Sequence, residues 1–148
     1  MSIKQDQIND YLDRYADSLS SFDAETAASL WSTPGVIIDD RFSGVIESRD
    51  QMVQGLEQSY PLYQNLGLAS VGYEVLDENH MTNNLVLVQV QWKFFDEKGE
   101  LLTDSNAYYL LRVENTELRT VICIQTDDLE KLQALASSQG MDLTPPAE

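Results

Sequence analysis

Apolar side chains recur at helical spacing from the start of the chain. Ile8, Tyr11, Leu12, Tyr15 and Leu19 form one stripe and predict a first helix over residues 4–20. Ser20-Ser21-Phe22-Asp23 breaks it. Asp23 suits the N-cap of a short second helix, because its carboxylate can accept from the free amides of the first turn. Ala27, Leu30 and Trp31 give that helix an apolar side. Pro34-Gly35 stops it and opens a strand over 36–42, which carries the adjacent pair Asp39-Asp40. Ser43-Gly44 turns the chain into a short strand, Val45-Ile46-Glu47. Ser48-Arg49-Asp50-Gln51 reads as a capping box for a third helix, with Met52, Val53, Leu56 and Tyr60 on one side. Pro61 is expected to kink or end that helix before Leu66-Gly67.

From residue 68 onward the period changes from 3.6 to 2. A strand is expected over 68–77. The clearest one covers 85–95, where Val86, Val88, Val90, Trp92 and Phe94 alternate with Gln89, Gln91 and Lys93. Asp96-Glu97-Lys98-Gly99 is a hairpin loop into a return strand over 101–113, whose more apolar face carries Ala107, Tyr109, Leu111 and Val113. A final strand spans 118–126. Asp127 with Glu130 is placed to cap a closing helix over 128–139 that bears Leu129, Leu132 and Leu135. The tail, 140–148, contains Pro145-Pro146 and is expected to fray. Helices come first and long antiparallel hairpins follow, so the fold class is α+β. A length of 148 residues fits a single domain spanning 1–148.

Composition narrows the function classes. The net charge is −16, with only nine Lys and Arg. That argues against nucleic acid and against an anionic membrane surface, which both select clustered cations. The acids are spread along the chain, which fits a repelling, solubilising surface better than a cleft for cations. No apolar run approaches a membrane span, and Met1-Ser2-Ile3-Lys4-Gln5-Asp6 lacks the pattern of a signal peptide. The expectation is a cytoplasmic protein. Cys123 is the sole cysteine and sits in an apolar strand pattern, where a thiol behaves as a small hydrophobe. His80 falls in a polar stretch read as a surface turn. One histidine with scattered acids makes no metal site, and no cofactor is expected.

The element order, together with Arg14-Tyr15, Phe22-Asp23, Leu30-Trp31, Val36-Ile37-Ile38-Asp39 and Ser48, resembles the nuclear transport factor 2-like superfamily over residues 8–127. This superfamily also includes SnoaL-like cyclases and ketosteroid isomerase. The resemblance implies a curved mixed or antiparallel sheet wrapped around the N-terminal helices, enclosing a conical, mostly apolar cavity. It also implies a homodimer through the outer sheet face. Its functions range from isomerases, cyclases and dehydratases to non-catalytic binding modules, so the fold alone does not choose among them.

In steroid-isomerase-like members a first-helix tyrosine donates to a developing oxyanion and a first-strand aspartate moves the proton. Tyr15 and Asp39 fall at the matching places. An acid in an apolar cone has a raised pKa and can act as a base, and a phenol can stabilise an enolate opposite it. Those enzymes use a further acid on a late strand. Here that region reads Asn106-Ala107-Tyr108-Tyr109, without a carboxylate. Arg41 is placed to pair with Asp39 and lower its pKa. Strand alternation sends Asp39 and Asp40 to opposite faces, and an inner set of Ile38, Asp40 and Phe42 is equally consistent. Tyr15, Trp31, Asp39, Leu56, Tyr60, Trp92 and Tyr109 are the candidate cavity residues. Two readings result. One is a binding or dimerising module for a small apolar ligand. The other is a cofactor-independent enzyme with Asp39 as acid/base and Tyr15 as donor.

Overall fold

The computed structural model describes residues 3–41 and 43–139, with the side chains of all but Asp128 and Leu129. Among the described residues, four helices and six strands follow one another as α1 (Gln5–Ser20), α2 (Ala24–Ser29), β1 (Trp31–Ile38), β2 (Ser43–Ile46), α3 (Arg49–Asn65), β3 (Ser70–Thr82), β4 (Leu85–Phe95), β5 (Leu101–Glu114), β6 (Glu117–Gln125) and α4 (Asp128–Ser138). The strands make one sheet in the order β2-β1-β6-β5-β4-β3. The β1–β6 pairing is parallel and the other pairings are antiparallel. This is the expected α+β architecture with a mixed sheet. No described helix is long and apolar enough to cross a membrane.

The core lies between α1 and the inner face of the sheet. Ile8, Tyr11, Leu12 and Tyr15 of α1 meet Val86, Val88, Val90 and Trp92 of β4 and Ala107, Tyr109 and Leu111 of β5. The alternation seen in the sequence therefore assigns faces correctly. On the other side, Val45, Val36, Ile122, Leu110 and Leu87 are successive cross-strand partners and form an apolar row over five strands. Beside it run Ile38, Ile124 and Tyr108. The side chain of α4's Lys131 pairs with Asp104 at 2.7 Å, holding that helix against β5.

Several boundaries differ from expectation for identifiable reasons. Trp31 does not belong to α2; it opens β1 opposite Thr120. The Leu30 carbonyl accepts from Thr120 N–H at 2.9 Å and from the Tyr11 hydroxyl at 2.7 Å. Those bonds draw the chain into the sheet at Trp31, five residues before the expected start at 36. Pro34-Gly35 then sits inside β1, where the register with β6 shifts between Trp31 and Val36. A Cβ on Gly35 would lie 2.8 Å from the Ser32 carbonyl and 2.9 Å from the Trp31 ring, so the backbone passes too close for any side chain.

Pro61 neither ends α3 nor prevents its last turn. It lies on the exposed side of the helix, where the carbonyl left without a donor can be solvated. β3 runs five residues beyond the expected 77, to Thr82. His80 is consequently a strand residue paired with Val86, and its ring contacts the Glu78 carboxylate at 3.2 Å.

The caps behave mostly as anticipated. Asp23 accepts from the Thr26 amide at 3.2 Å and from its hydroxyl at 2.7 Å. Ser48 accepts from the Gln51 amide, but the Gln51 side chain reaches Glu47 N–H in place of Ser48. Asp127 does not cap α4 through its side chain. Its carboxylate instead accepts from the Asn106 backbone and side-chain amides at 2.7 and 3.1 Å, joining the end of β6 to β5. The expected frayed tail at 140–148, the Phe42 end of the first strand and the Leu129 contact lie outside the described residues.

Candidate functional site

The third helix explains why the molecule is hollow. Only Met52 and Tyr60 of α3 are buried. It packs chiefly on α2 and β2 and stands off the middle of the sheet. Between them lies a cavity of about 560 Å³ that opens to the surface. Exposed Gln51, Gln54, Gly55 and Gln58 of α3 line it too, which marks this helix as part of its mouth. The volume falls in the range of small-molecule sites.

The cavity wall is built from residues of widely separated elements. Tyr15 and Leu19 come from α1, Trp31 and Ile37 from β1, Leu56, Tyr60 and Tyr63 from α3, Trp92 and Phe94 from β4, Ser105, Ala107 and Tyr109 from β5, and Cys123 and Gln125 from β6. Six of the candidate residues thus share one wall: Tyr15, Trp31, Leu56, Tyr60, Trp92 and Tyr109. They narrow the hollow without filling it.

At the floor, each indole is paired with a phenol. Trp31 Nε1 donates to the Tyr15 hydroxyl and Trp92 Nε1 donates to the Tyr109 hydroxyl, both at 2.9 Å. The Tyr15 ring lies 5.5 Å from Trp92 and 5.8 Å from Tyr109, in tilted and edge-on contacts. Burial, the Tyr11 hydroxyl and Cys123 push the Tyr15 phenol well above its ordinary pKa. Burial, Cys123 and Tyr15 do the same for Tyr109. Both remain neutral hydroxyls at physiological pH. Tyr60 is pushed up to about 12, by burial first and then by Asp23 and Glu57. None of the described lining residues is Asp, Glu, Lys, Arg or His. In a chain of net charge −16 this uncharged wall is a local departure from the rest of the molecule.

Asp39 is placed elsewhere. It lines a neighbouring groove of about 390 Å³ with Asp40, Arg41, Gln125, Thr126, Asp127 and Glu130. The alternation that turns Ile37 toward the cavity ends with β1 at Ile38. Beyond it, the Asp39 carboxylate accepts from the Arg41 backbone N–H at 2.8 Å. Gln125 touches both hollows and stands where they meet. The structure therefore does not bring Asp39 to Tyr15 inside the cavity. Asp40 is exposed in the same groove and does not enter the cavity either. Among the described residues no group of His, Cys, Asp and Glu is arranged to hold a metal ion.

Ser105, Gln125 and the glutamines of α3 line the cavity without being among the candidates the sequence offers. Strand alternation carried the signal for Ser105 and Gln125, since both lie on the inner face with Ala107 and Cys123. The glutamines carried none, because exposed helix positions say nothing of a mouth.

Fold and cavity together define a cone-shaped α+β domain with an uncharged hollow. The family described as NTF2-like protein (DUF6841) matches residues 5–128, and the chain belongs to this NTF2-like family. It is similar in structure to an NTF-2 like protein of unknown function from Shewanella oneidensis MR-1, with 12% identity and a TM-score of 0.68 over 84% of this chain and 100% of that one. A domain of unknown function with a cystatin-like fold from Nostoc punctiforme PCC 73102 gives 16% identity and a TM-score of 0.65 over 93% and 94%. A putative calcium/calmodulin dependent protein kinase II association domain from Xanthomonas campestris gives 11% identity and a TM-score of 0.58 over 84% and 88%. At these identities the likeness is one of fold. No curated protein matches the sequence.

Proposed function

We propose that this protein is a non-catalytic module that binds a small, mostly apolar ligand in the cone and pairs with a second copy through the outer face of its sheet. One observation carries the ligand reading: a cavity of about 560 Å³ walled by aromatic and aliphatic side chains, without a carboxylate, ammonium, guanidinium or imidazole among its described residues. Acid–base catalysis needs a group that exchanges protons near neutral pH. The phenols here are held above their ordinary range, and Asp39 lies in the adjoining groove. The alternative enzyme, with Asp39 as acid/base and Tyr15 as donor, would require the β1–β2 connection to carry Asp39 past Gln125.

The pairing reading rests on the apolar row Val45, Val36, Ile122, Leu110 and Leu87, with Ile124 and Tyr108 beside it. Of these, Val45 and Ile124 are exposed and the others half-buried, and a contiguous apolar surface open to water is costly unless covered. The Xanthomonas campestris neighbour is described as an association domain, which agrees with a fold suited to self-assembly. Leu110→Asp would place a charge in the middle of that row. The expected result is a shift from dimer to monomer in sedimentation velocity.

Ligand binding is tested by thermal unfolding with 1 mM 2-naphthol. A ligand that binds only the folded state raises Tm by mass action. Wild type is expected to shift upward. Ala107→Phe, which adds a ring to the inner face of β5, is expected not to shift. Equal shifts in both proteins would place binding outside the cone.

A further inference from the structure

Ser105 and Gln125 are the polar side chains that the fold turns inward from the two central strands of the cavity floor. Ser105 sits on β5 and is only 4% exposed. Gln125 closes β6 and pairs with Ala107, two residues after Ser105. The two are thus diagonal neighbours on one face, roughly 7–8 Å apart by sheet geometry and within reach of a long side chain. Both line the cavity.

Neither side chain is engaged by another described residue. The neighbouring polar groups are: Asn106 is tied to Asp127, the Tyr15 and Tyr109 hydroxyls receive the two indoles, and Cys123 has its own contact. Among the described residues, Ser105 and Gln125 are in none of these hydrogen bonds. A hydroxyl needs a hydrogen-bond partner, from water or from a solute. For one facing a cavity, the partner comes from the cavity's contents.

We infer that the cone selects an uncharged, ring-shaped ligand bearing one hydrogen-bonding group, which Ser105 and Gln125 receive while the Tyr15, Trp31, Trp92 and Tyr109 rings pack on its apolar body. This rests on the ligand-binding reading and adds the ligand's chemistry to it. A serine hydroxyl and a carboxamide each donate and accept, so together they match a hydroxyl or carbonyl. They offer no counter-charge. An anion would enter without a cation to pair with, inside a molecule of net charge −16. A cation would find its nearest groove carboxylates, Asp39, Asp127 and Glu130, on the far side of Gln125.

Four naphthalenes with one body and different heads separate these contributions: 2-naphthol, 2-methylnaphthalene, 2-naphthoate and 2-naphthylmethylammonium. Binding is followed by NMR through the indole N–H signals of Trp31 and Trp92, which both line the cavity. The hydroxyl is expected to bind about tenfold more tightly than the methyl, the ratio a single added hydrogen bond gives. Both ions are expected to bind at least tenfold more weakly than 2-naphthol. Ser105→Ala combined with Gln125→Leu should bring 2-naphthol down to the affinity of 2-methylnaphthalene and leave the latter within about twofold. Ser105→Ala alone, the milder change, should remove part of the preference. If folding fails in the double variant, this single variant carries the test.

Equal binding of 2-naphthol and 2-methylnaphthalene to wild type would overturn this inference and leave ligand binding standing. So would a preference that survives in the variants, or an ion that binds as tightly as 2-naphthol. No perturbation of either indole by any probe at 1 mM would overturn the ligand-binding reading and this inference with it.

Discussion

The two hollows of this chain adjoin at Gln125 and are built by opposite rules. The cavity draws its wall from strand and helix positions fixed by the core, and the indoles and phenols of its floor satisfy one another as Trp31–Tyr15 and Trp92–Tyr109 pairs. The groove draws its wall from strand ends and the start of α4, and its Asp39 and Asp127 carboxylates accept from nearby backbone amides. A charged side chain at a strand end keeps its water and costs little. The same side chain one pleat further inside would be desolvated. The boundary at Gln125 is therefore where the core stops supplying apolar neighbours. A matching carboxylate in the sequence is no guide to a site unless its strand continues far enough to carry it inward.

Alkali should produce the largest effect. Tyr11, Tyr15 and Tyr109 in the core and Tyr60 and Tyr73 at its margin are all held above the ordinary phenol value of 10, chiefly by burial. Below pH 10 the folded and unfolded chains both hold these protons, so the contribution to stability is complete. As the pH climbs past 10 the unfolded chain releases protons that the folded chain retains, and stability falls. Tyrosinate absorbance should lag in the native protein and then rise together with loss of the far-ultraviolet signal. Smooth titration of all seven tyrosines near pH 10 with the fold intact would contradict the buried phenol floor.

Trp92→Ala is next. It removes a core ring that contacts Tyr15, Tyr73 and Tyr109, and should cost about 3–5 kcal/mol in urea unfolding. On the groove side, Asp127→Asn weakens the charged acceptor that joins β6 to Asn106; a loss of about 1–2 kcal/mol is expected. Asp39→Asn should lie within about 0.5 kcal/mol of wild type, as for surface positions generally. A loss for Asp39→Asn comparable to that for Trp92→Ala would erase the distinction between the two hollows.

How much of this was readable in the sequence depends on the range of the forces involved. The α1 stripe, the β4 and β5 alternation and the Asp23 and Ser48 caps were legible because local period and local hydrogen bonds decide them. Local spacing puts Trp31 in α2, but Thr120, almost ninety residues away, engages the Leu30 carbonyl and opens β1 there. The local pattern makes Asp127 a cap, but Asn106 outcompetes the helix terminus for its carboxylate. Asp39 was placed by analogy at a strand end, and one or two residues of strand length decide whether such a side chain enters a cone. The cavity itself was not in the pattern. It exists because α3, with few apolar residues, rests on α2 and β2 and leaves the sheet's centre uncovered.

On the proposed function, ligand chemistry belongs to the aromatic cavity and not to the groove of Asp39. The affinity for 2-naphthol of wild type, Ala107→Phe and Asp39→Asn, measured side by side by NMR titration, tests it most directly. Ala107→Phe is expected to weaken binding at least tenfold, and Asp39→Asn to leave it within twofold. Retained binding in Ala107→Phe together with loss in Asp39→Asn would contradict the account and move the site into the groove.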